Sequence, residues 1–225
     1  MLTGEILARS AARFPDKAAL LWDGGSMSFG ALDEAANRFA HGLTGAGIGT
    51  GDTVAVLCGN RIEYPIAYFG IARTGAVSAH MSPRYLADEI RHTLALVEAK
   101  IAVVEAPLDK IVAAMMPDLP RLETLIVIGD DGDFDDFMAG QSIRDPAVRV
   151  DLDAPASITF TGGTTGMPKA ALLTHRGRSH WGKVAINDFG LDEDEIAMVA
   201  APLYHAAGGF IWFAPTLMAG GSAVI

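Results

Sequence analysis

The stretch Ser157-Ile158-Thr159-Phe160-Thr161-Gly162-Gly163-Thr164-Thr165-Gly166-Met167-Pro168-Lys169-Ala170-Ala171-Leu172-Leu173-Thr174-His175 decides how the chain is read. A β-prone run enters a loop of glycines and adjacent threonines closed by a lysine, and a second apolar run leaves it. Gly162, Gly163 and Gly166 let main-chain N–H groups converge on an anion without a Cβ in the way. Thr164 and Thr165 add hydroxyls, and Lys169 adds a mobile point charge suited to phosphate oxygens. The Walker A pattern is excluded, because it needs glycine before the lysine and serine or threonine after it, opening a helix. Here Pro168 precedes Lys169 and Ala170 follows. Pro168 also pushes Met167 toward an extended backbone, so the reading is strand, loop, strand.

Outward from this loop the chain alternates strands and helices. Residues 54–58 (Val-Ala-Val-Leu-Cys) form an unbroken apolar run, the mark of a strand buried on both faces. A helix is expected at 62–73, with Asn60 as its cap and Pro65 tolerated near its start. Strands are expected at 76–80, 101–105 and 124–128, with helices at 85–99 and 108–116 between them. This alternation predicts an α/β fold of layered αβαβα type around a mostly parallel sheet. Before it, residues 2–14 read as a short amphipathic helix with Thr3 as cap, and 18–22 with 26–29 as a hairpin. A helical stripe (Leu32, Ala36, Phe39, Ala40, Leu43) follows and ends near Gly45 and Gly47. After the loop come a helix at 176–189, a strand at 196–200, an apolar segment to Met218 and a last strand from Ser222. Residues 130–136 are read as a solvated acidic linker, since they lack the spacing and closing glutamate of a calcium loop.

The chain has 225 residues, half of them apolar, and a formal charge of −10. That charge argues against a nucleic-acid surface, which needs a basic patch, yet a local cradle of N–H groups and one lysine still holds phosphates. With Cys58 alone there is no intramolecular disulfide and no zinc spacing, and a cytoplasmic location is expected. No apolar run approaches the roughly 18 to 20 residues needed to cross a bilayer. Cys58 reads as an inert buried thiol, His80, His92 and His180 as structural or exposed, and Trp181, Trp212 and Phe213 as core. His175 marks the start of the helix after the loop.

The segment Thr161-Gly-Gly-Thr-Thr-Gly-Met-Pro-Lys169-Ala170 resembles the phosphate-loop signature of the adenylate-forming (AMP-binding) enzymes, Thr-Ser-Gly-Thr-Thr-Gly-any-Pro-Lys-Gly. Gly162 replaces the usual serine and Ala170 the usual glycine. Residues 27–32 and 70–83 look like two further family regions. Pro202-Leu203-Tyr204-His205 resembles the Pro-Leu-Phe-His segment of the acyl-CoA synthetase branch.

The resemblance implies ligation in two steps, a carboxylic acid attacking ATP to give an acyl-adenylate and diphosphate, then coenzyme A displacing AMP. It implies that Thr161, Gly162, Gly163, Thr164, Thr165, Gly166 and Lys169 bind ATP, with Thr164, Thr165 and Lys169 acting on the reacting phosphates. Tyr204 and His205 would border the acid. Mg2+ is implied, with no carboxylate assignable to it. Amino-acid-activating or oxidative relatives of the family remain open, as does a non-catalytic nucleotide-binding module. The family's adenine, ribose, hinge and catalytic-lysine motifs are missing, and residues 223–225 read as a core strand with nothing after it. The expectation is an N-terminal piece of a longer ligase, itself without turnover, with apolar surface available for self-association. Residues 1–51 would open a second α/β subdomain, 52–200 form the main one carrying loop 161–169, and 201–225 return to the second.

Overall fold

The computed structural model describes residues 1–162 and 166–225. Along the chain run α1 (Thr3–Arg13), β1 (Ala18–Trp22), β2 (Gly25–Ser28), α2 (Phe29–Gly45), β3 (Thr53–Leu57), α3 (Glu63–Thr74), β4 (Val77–Met81) and α4 (Ala87–Leu96). There follow β5 (Ile101–Glu105), α5 (Leu108–Met115), β6 (Thr124–Ile128), α6 (Phe134–Met138), β7 (Pro155–Thr161), β8 (Lys169–Thr174) and α7 (His175–Phe189). The chain closes with β9 (Ile196–Met198), a π-helix (Ala206–Phe213), α8 (Ala214–Ala219) and β10 (Ser222–Val224).

The larger sheet has strand order β6-β5-β3-β4-β7-β8. All its neighbours are parallel except β7 and β8, which pair antiparallel at one edge. Alternation along β3 shows why an unbroken apolar run is needed. Val54 and Val56 enter one core with Ile101, Val103, Ile126 and Ile128, while Ala55 and Leu57 enter another with Ala102 and Val104. The second core is closed by Ile90 and Leu94 of α4 and by Val112 and Met115 of α5. The first is shared with α1, α2, α3 and α8 and with the smaller sheet. Both faces are thus covered, as a parallel sheet requires.

The smaller sheet has order β2-β1-β10-β9, with β10 parallel to both β1 and β9. Strand β9 therefore lies outside the larger sheet, in which the expected division at residue 200 had placed it. Its register, Ala197 opposite Ala223, depends on a partner reached only after the π-helix and α8. No local pattern carries that pairing.

Four other expectations are corrected. Asn60 does not cap α3, whose N-cap position is Ile62, with no side-chain cap. Thr3 lies inside α1 and bonds to His175 instead. The acidic stretch at 130–136 contains most of α6, because Phe134 is buried against Phe39 with ring centroids 5.1 Å apart. Trp181 and Trp212 are 42% and 40% exposed rather than core, and Trp212 stacks on Phe189 at the surface, 4.9 Å between centroids. Phe213 and Cys58 are buried, as read.

Candidate functional site

The loop begins where β7 ends, at the carboxyl edge of the larger sheet, the usual place for ligands in open α/β sheets. Thr161, the last residue of β7, stands in register with Lys169, the first of β8. The seven-residue connection is thereby closed at its base by strand pairing. Gly163, Thr164 and Thr165 lie outside the described residues. Gly166 has φ of +110°, a backbone closed to most side chains, and a Cβ built on Gly162 or Gly166 would meet no atom of the described residues within 4 Å. Lys169 is exposed, and among the described residues no carboxylate pairs with it. Its ammonium is therefore available to a ligand anion.

Two elements hold the base of the loop. Pro168 is buried, and its carbonyl accepts a hydrogen bond from His92 Nε2 of α4 at 3.1 Å. A carbonyl can only accept, so the His92 proton resides on Nε2. His92 thus has a structural role, as a support for the base of the loop. On the far side β8 runs into α7, where the Thr174 side chain caps the helix by accepting from Gly177 N at 3.1 Å. His175 opens α7 fully buried, its Nδ1 accepting from the Thr3 backbone N–H at 3.2 Å. This local structural role agrees with its place in the sequence.

Tyr204 is half-buried and His205 exposed. Just after them the chain folds back on itself. A Cβ at Gly208 or Gly209 would collide with the carbonyl oxygen of Pro202 or Leu203, so both glycines are required for the π-helix to start against the 202–205 turn. His205 caps that helix, its Nδ1 accepting from Ala207 N at 3.3 Å, which leaves Nε2 as the outward nitrogen. Tyr85, whose phenol is pushed up by burial, then by Glu89 and by Tyr204, packs edge-on to Phe160 of β7 at 6.5 Å.

Asn60 holds the segment at 199–203 rather than capping α3. Its amide donates to Val199 O and Ala201 O at 3.1 and 3.2 Å, and its oxygen accepts from Leu203 N at 2.8 Å. One side chain at the end of β3 clamps the approach to Tyr204 and His205. Its partners lie some 140 residues away, so no local spacing signals the role.

Behind the site runs a buried polar chain. Tyr64 O–H donates to His80 Nδ1, His80 Nε2 donates to Ser78 Oγ at 2.9 Å, and Ser78 donates to Ala156 O at 3.3 Å. Burial, with Arg178 nearby, holds the His80 pKa well below the usual histidine range, and burial lowers that of His175. A base with a depressed native pKa leaves the unfolded chain binding more protons once pH drops below about 6.5. Stability is therefore full above that pH and falls as pH decreases toward the native pKa values. The slope should approach ~1.4 kcal/mol per pH unit for each such histidine. Urea unfolding at pH 7.5, 6.5 and 5.5 should show it, and His80→Gln should flatten the lower step. A wild-type profile flat to pH 5.5 would show that His80 ionises freely in the fold.

With the geometry in place, comparison with known proteins decides the family. A model of the family described as AMP-binding enzyme matches residues 7–225. The chain belongs to the AMP-binding enzyme family. This AMP-binding chain is 33% identical over 204 residues to the medium/long-chain-fatty-acid–CoA/3-oxocholest-4-en-26-oate–CoA ligase of Mycobacterium marinum, across 83% of the chain and 37% of that protein. It is 33% identical over 218 residues to feruloyl-CoA synthase of an Amycolatopsis species, across 96% of the chain and 42% of that protein. The crystal structure of ATP-bound MatB from Rhodopseudomonas palustris aligns with 100% of the AMP-binding chain and 45% of its own, at TM-score 0.90 and 27% identity. The chain thus spans less than half the length of these relatives.

Among the described residues no group of three or more His, Cys, Asp and Glu side chains is placed to hold a metal ion. Among the described residues no helix is long and apolar enough to cross a membrane.

Proposed function

We propose that this chain supplies the triphosphate end, and one wall of the acid pocket, of an AMP-forming acid–thiol ligase. The observation that carries the reading is the β7–loop–β8 hairpin, which sets Lys169 across from Thr161 at the carboxyl edge of the sheet. Family membership and the ligase relatives support it.

In the proposed reaction a carboxylate oxygen attacks the α-phosphorus of ATP, the bond to the bridging oxygen breaks, and diphosphate leaves. The thiol of coenzyme A then adds to the acyl carbon and AMP departs with the electron pair. Nucleophile and leaving group of the first step are both anionic, so donors fixed on the phosphates contribute most to catalysis. Lys169 and the N–H groups of the glycine loop are the groups of this chain suited to that task, with Thr164 and Thr165 adding hydroxyls. Thr161, Gly162, Gly163 and Gly166 complete the ATP-binding set, and Tyr204 and His205 border the acid. AMP activates the carboxylate because it is a far better leaving group than oxide or hydroxide.

ATP–diphosphate exchange over a panel of fatty and aromatic acids, measured on the native gene product containing this sequence, tests the reading. Acid-dependent exchange is the expected result, and none across the panel would overturn it. The 225-residue chain alone is expected to form no acyl-CoA, since in this reading it supplies only the triphosphate end and one wall of the acid pocket. Acyl-CoA made by the purified chain would contradict that assignment.

A further inference from the structure

Helix α7 buries a cation that nothing among the described residues neutralises. Arg178 retains 8% exposure. Its Nε donates to Ser157 Oγ at 2.6 Å, its guanidinium carbon lies 3.4 Å from the centroid of the Phe210 ring, and its Nη2 has no hydrogen-bond partner among the described residues. It takes part in none of the ion pairs among the described residues. Burial lowers its pKa, opposed only by the phenols of Tyr68 and Tyr64.

Across from it, on α3, the buried Tyr68 hydroxyl also lacks a partner among the described residues. Arg178 and Tyr68 line one cavity, together with Phe210, Gly182 and Met218. Its volume is about 10 Å³, room for a single oxygen-sized group.

A buried charge without a counter-charge destabilises a fold, and an apolar side chain of similar size is often the more stable occupant. One water could accept from both donors but would leave the charge uncompensated. A carboxylate oxygen accepts from both and neutralises the guanidinium, the pairing for which arginine geometry is suited.

The approach is also basic. The cavity shares Ile6 and Met218 with a surface groove of about 370 Å³ that carries Arg9, Arg13 and Lys183, three cations on a chain of net charge −10. Met218 separates groove from cavity, its Sδ lying 2.8 Å from a Cβ built on Gly182. Methionine is flexible and unbranched, and its displacement would give the remainder of a carboxylate its space.

We propose that Arg178 and Tyr68 form a buried carboxylate-binding site, entered from the basic groove past Met218. The carboxylate could belong to a small free anion or to the far end of a dicarboxylic acid. The second source rests on the proposed function, and Phe210 makes it concrete: the ring under Arg178 sits on the π-helix that His205 begins.

Formate is the first probe, titrated into the 225-residue chain at constant ionic strength with sodium fluoride as balancing salt. The unfolding midpoint of the wild type should rise with formate along a saturable curve. Arg178→Met should fold with an equal or higher midpoint in the absence of formate and lose the dependence. Tyr68→Phe should weaken formate binding tenfold or more. A flat wild-type curve, or an unchanged response in Arg178→Met, would overturn the site.

Suberate and octanoate separate the sources. If the group is the far end of a substrate, suberate binds at least tenfold tighter than formate and octanoate does not, and Arg178→Met removes the preference. If it is a free anion, formate binds at Arg178 and suberate binds no tighter. Failure of ATP–diphosphate exchange leaves the formate result standing, so the two readings fail separately.

Discussion

Phe39→Ala is expected to destabilise the chain by about 3–5 kcal/mol, the range for emptying a large buried aromatic site. Phe39 is fully buried on α2, with its ring 5.1 Å from that of Phe134 and 5.4 Å from that of Phe137. On the other side it meets α3 at Gly70, where a built Cβ would lie 2.8 Å from Phe39 Cδ1 and 2.9 Å from Ala36 O. The helices approach this closely because Gly70 has no side chain, and that backbone contact limits how far the site can collapse once the ring is gone. Urea unfolding of wild type and variant with a common slope would give the difference. A loss below about 1 kcal/mol would mean that the layer beneath α2 repacks freely.

Lys169→Ala should weaken ATP binding at least tenfold, about 1.4 kcal/mol or more, in line with a lost charge-assisted hydrogen bond of roughly 1.5–3 kcal/mol. Its stability should stay within about 0.5 kcal/mol of wild type, because Lys169 is exposed and only its backbone belongs to β8. Calorimetric titration with ATP, paired with urea unfolding, separates the two effects. A large fall in stability with unchanged affinity would make Lys169 a strand residue and remove it from the phosphate site.

Much of the architecture was legible because its signals are local. Strands such as β3 and β5 must be apolar on both faces, and those runs announce themselves at residue resolution. The strand–loop–strand reading of residues 157–174 followed from Pro168 and the glycines, and β7 and β8 pair as that reading requires.

What stayed hidden depends on partners far along the chain. Asn60 resembled a helix cap because its true partners, at 199–203, lie well beyond any local window. Strand β9 joined the smaller sheet through β10, across an intervening π-helix. Phe134 sat in an acidic run, and only the ring of Phe39 explains its burial. Arg178 carried no motif at all; its meaning comes from Tyr68, Ser157 and Phe210, three separate elements converging on α7.

The central claim is that the loop between β7 and β8 grips the β- and γ-phosphates. Competition of ATP and AMP for the purified chain, read by displacement of a fluorescent ATP analogue, tests it most directly. ATP should displace the analogue at a concentration at least tenfold below AMP, and Lys169→Ala should erase most of that difference. Equal competition by AMP and ATP in the wild type, or full discrimination retained in Lys169→Ala, would contradict it.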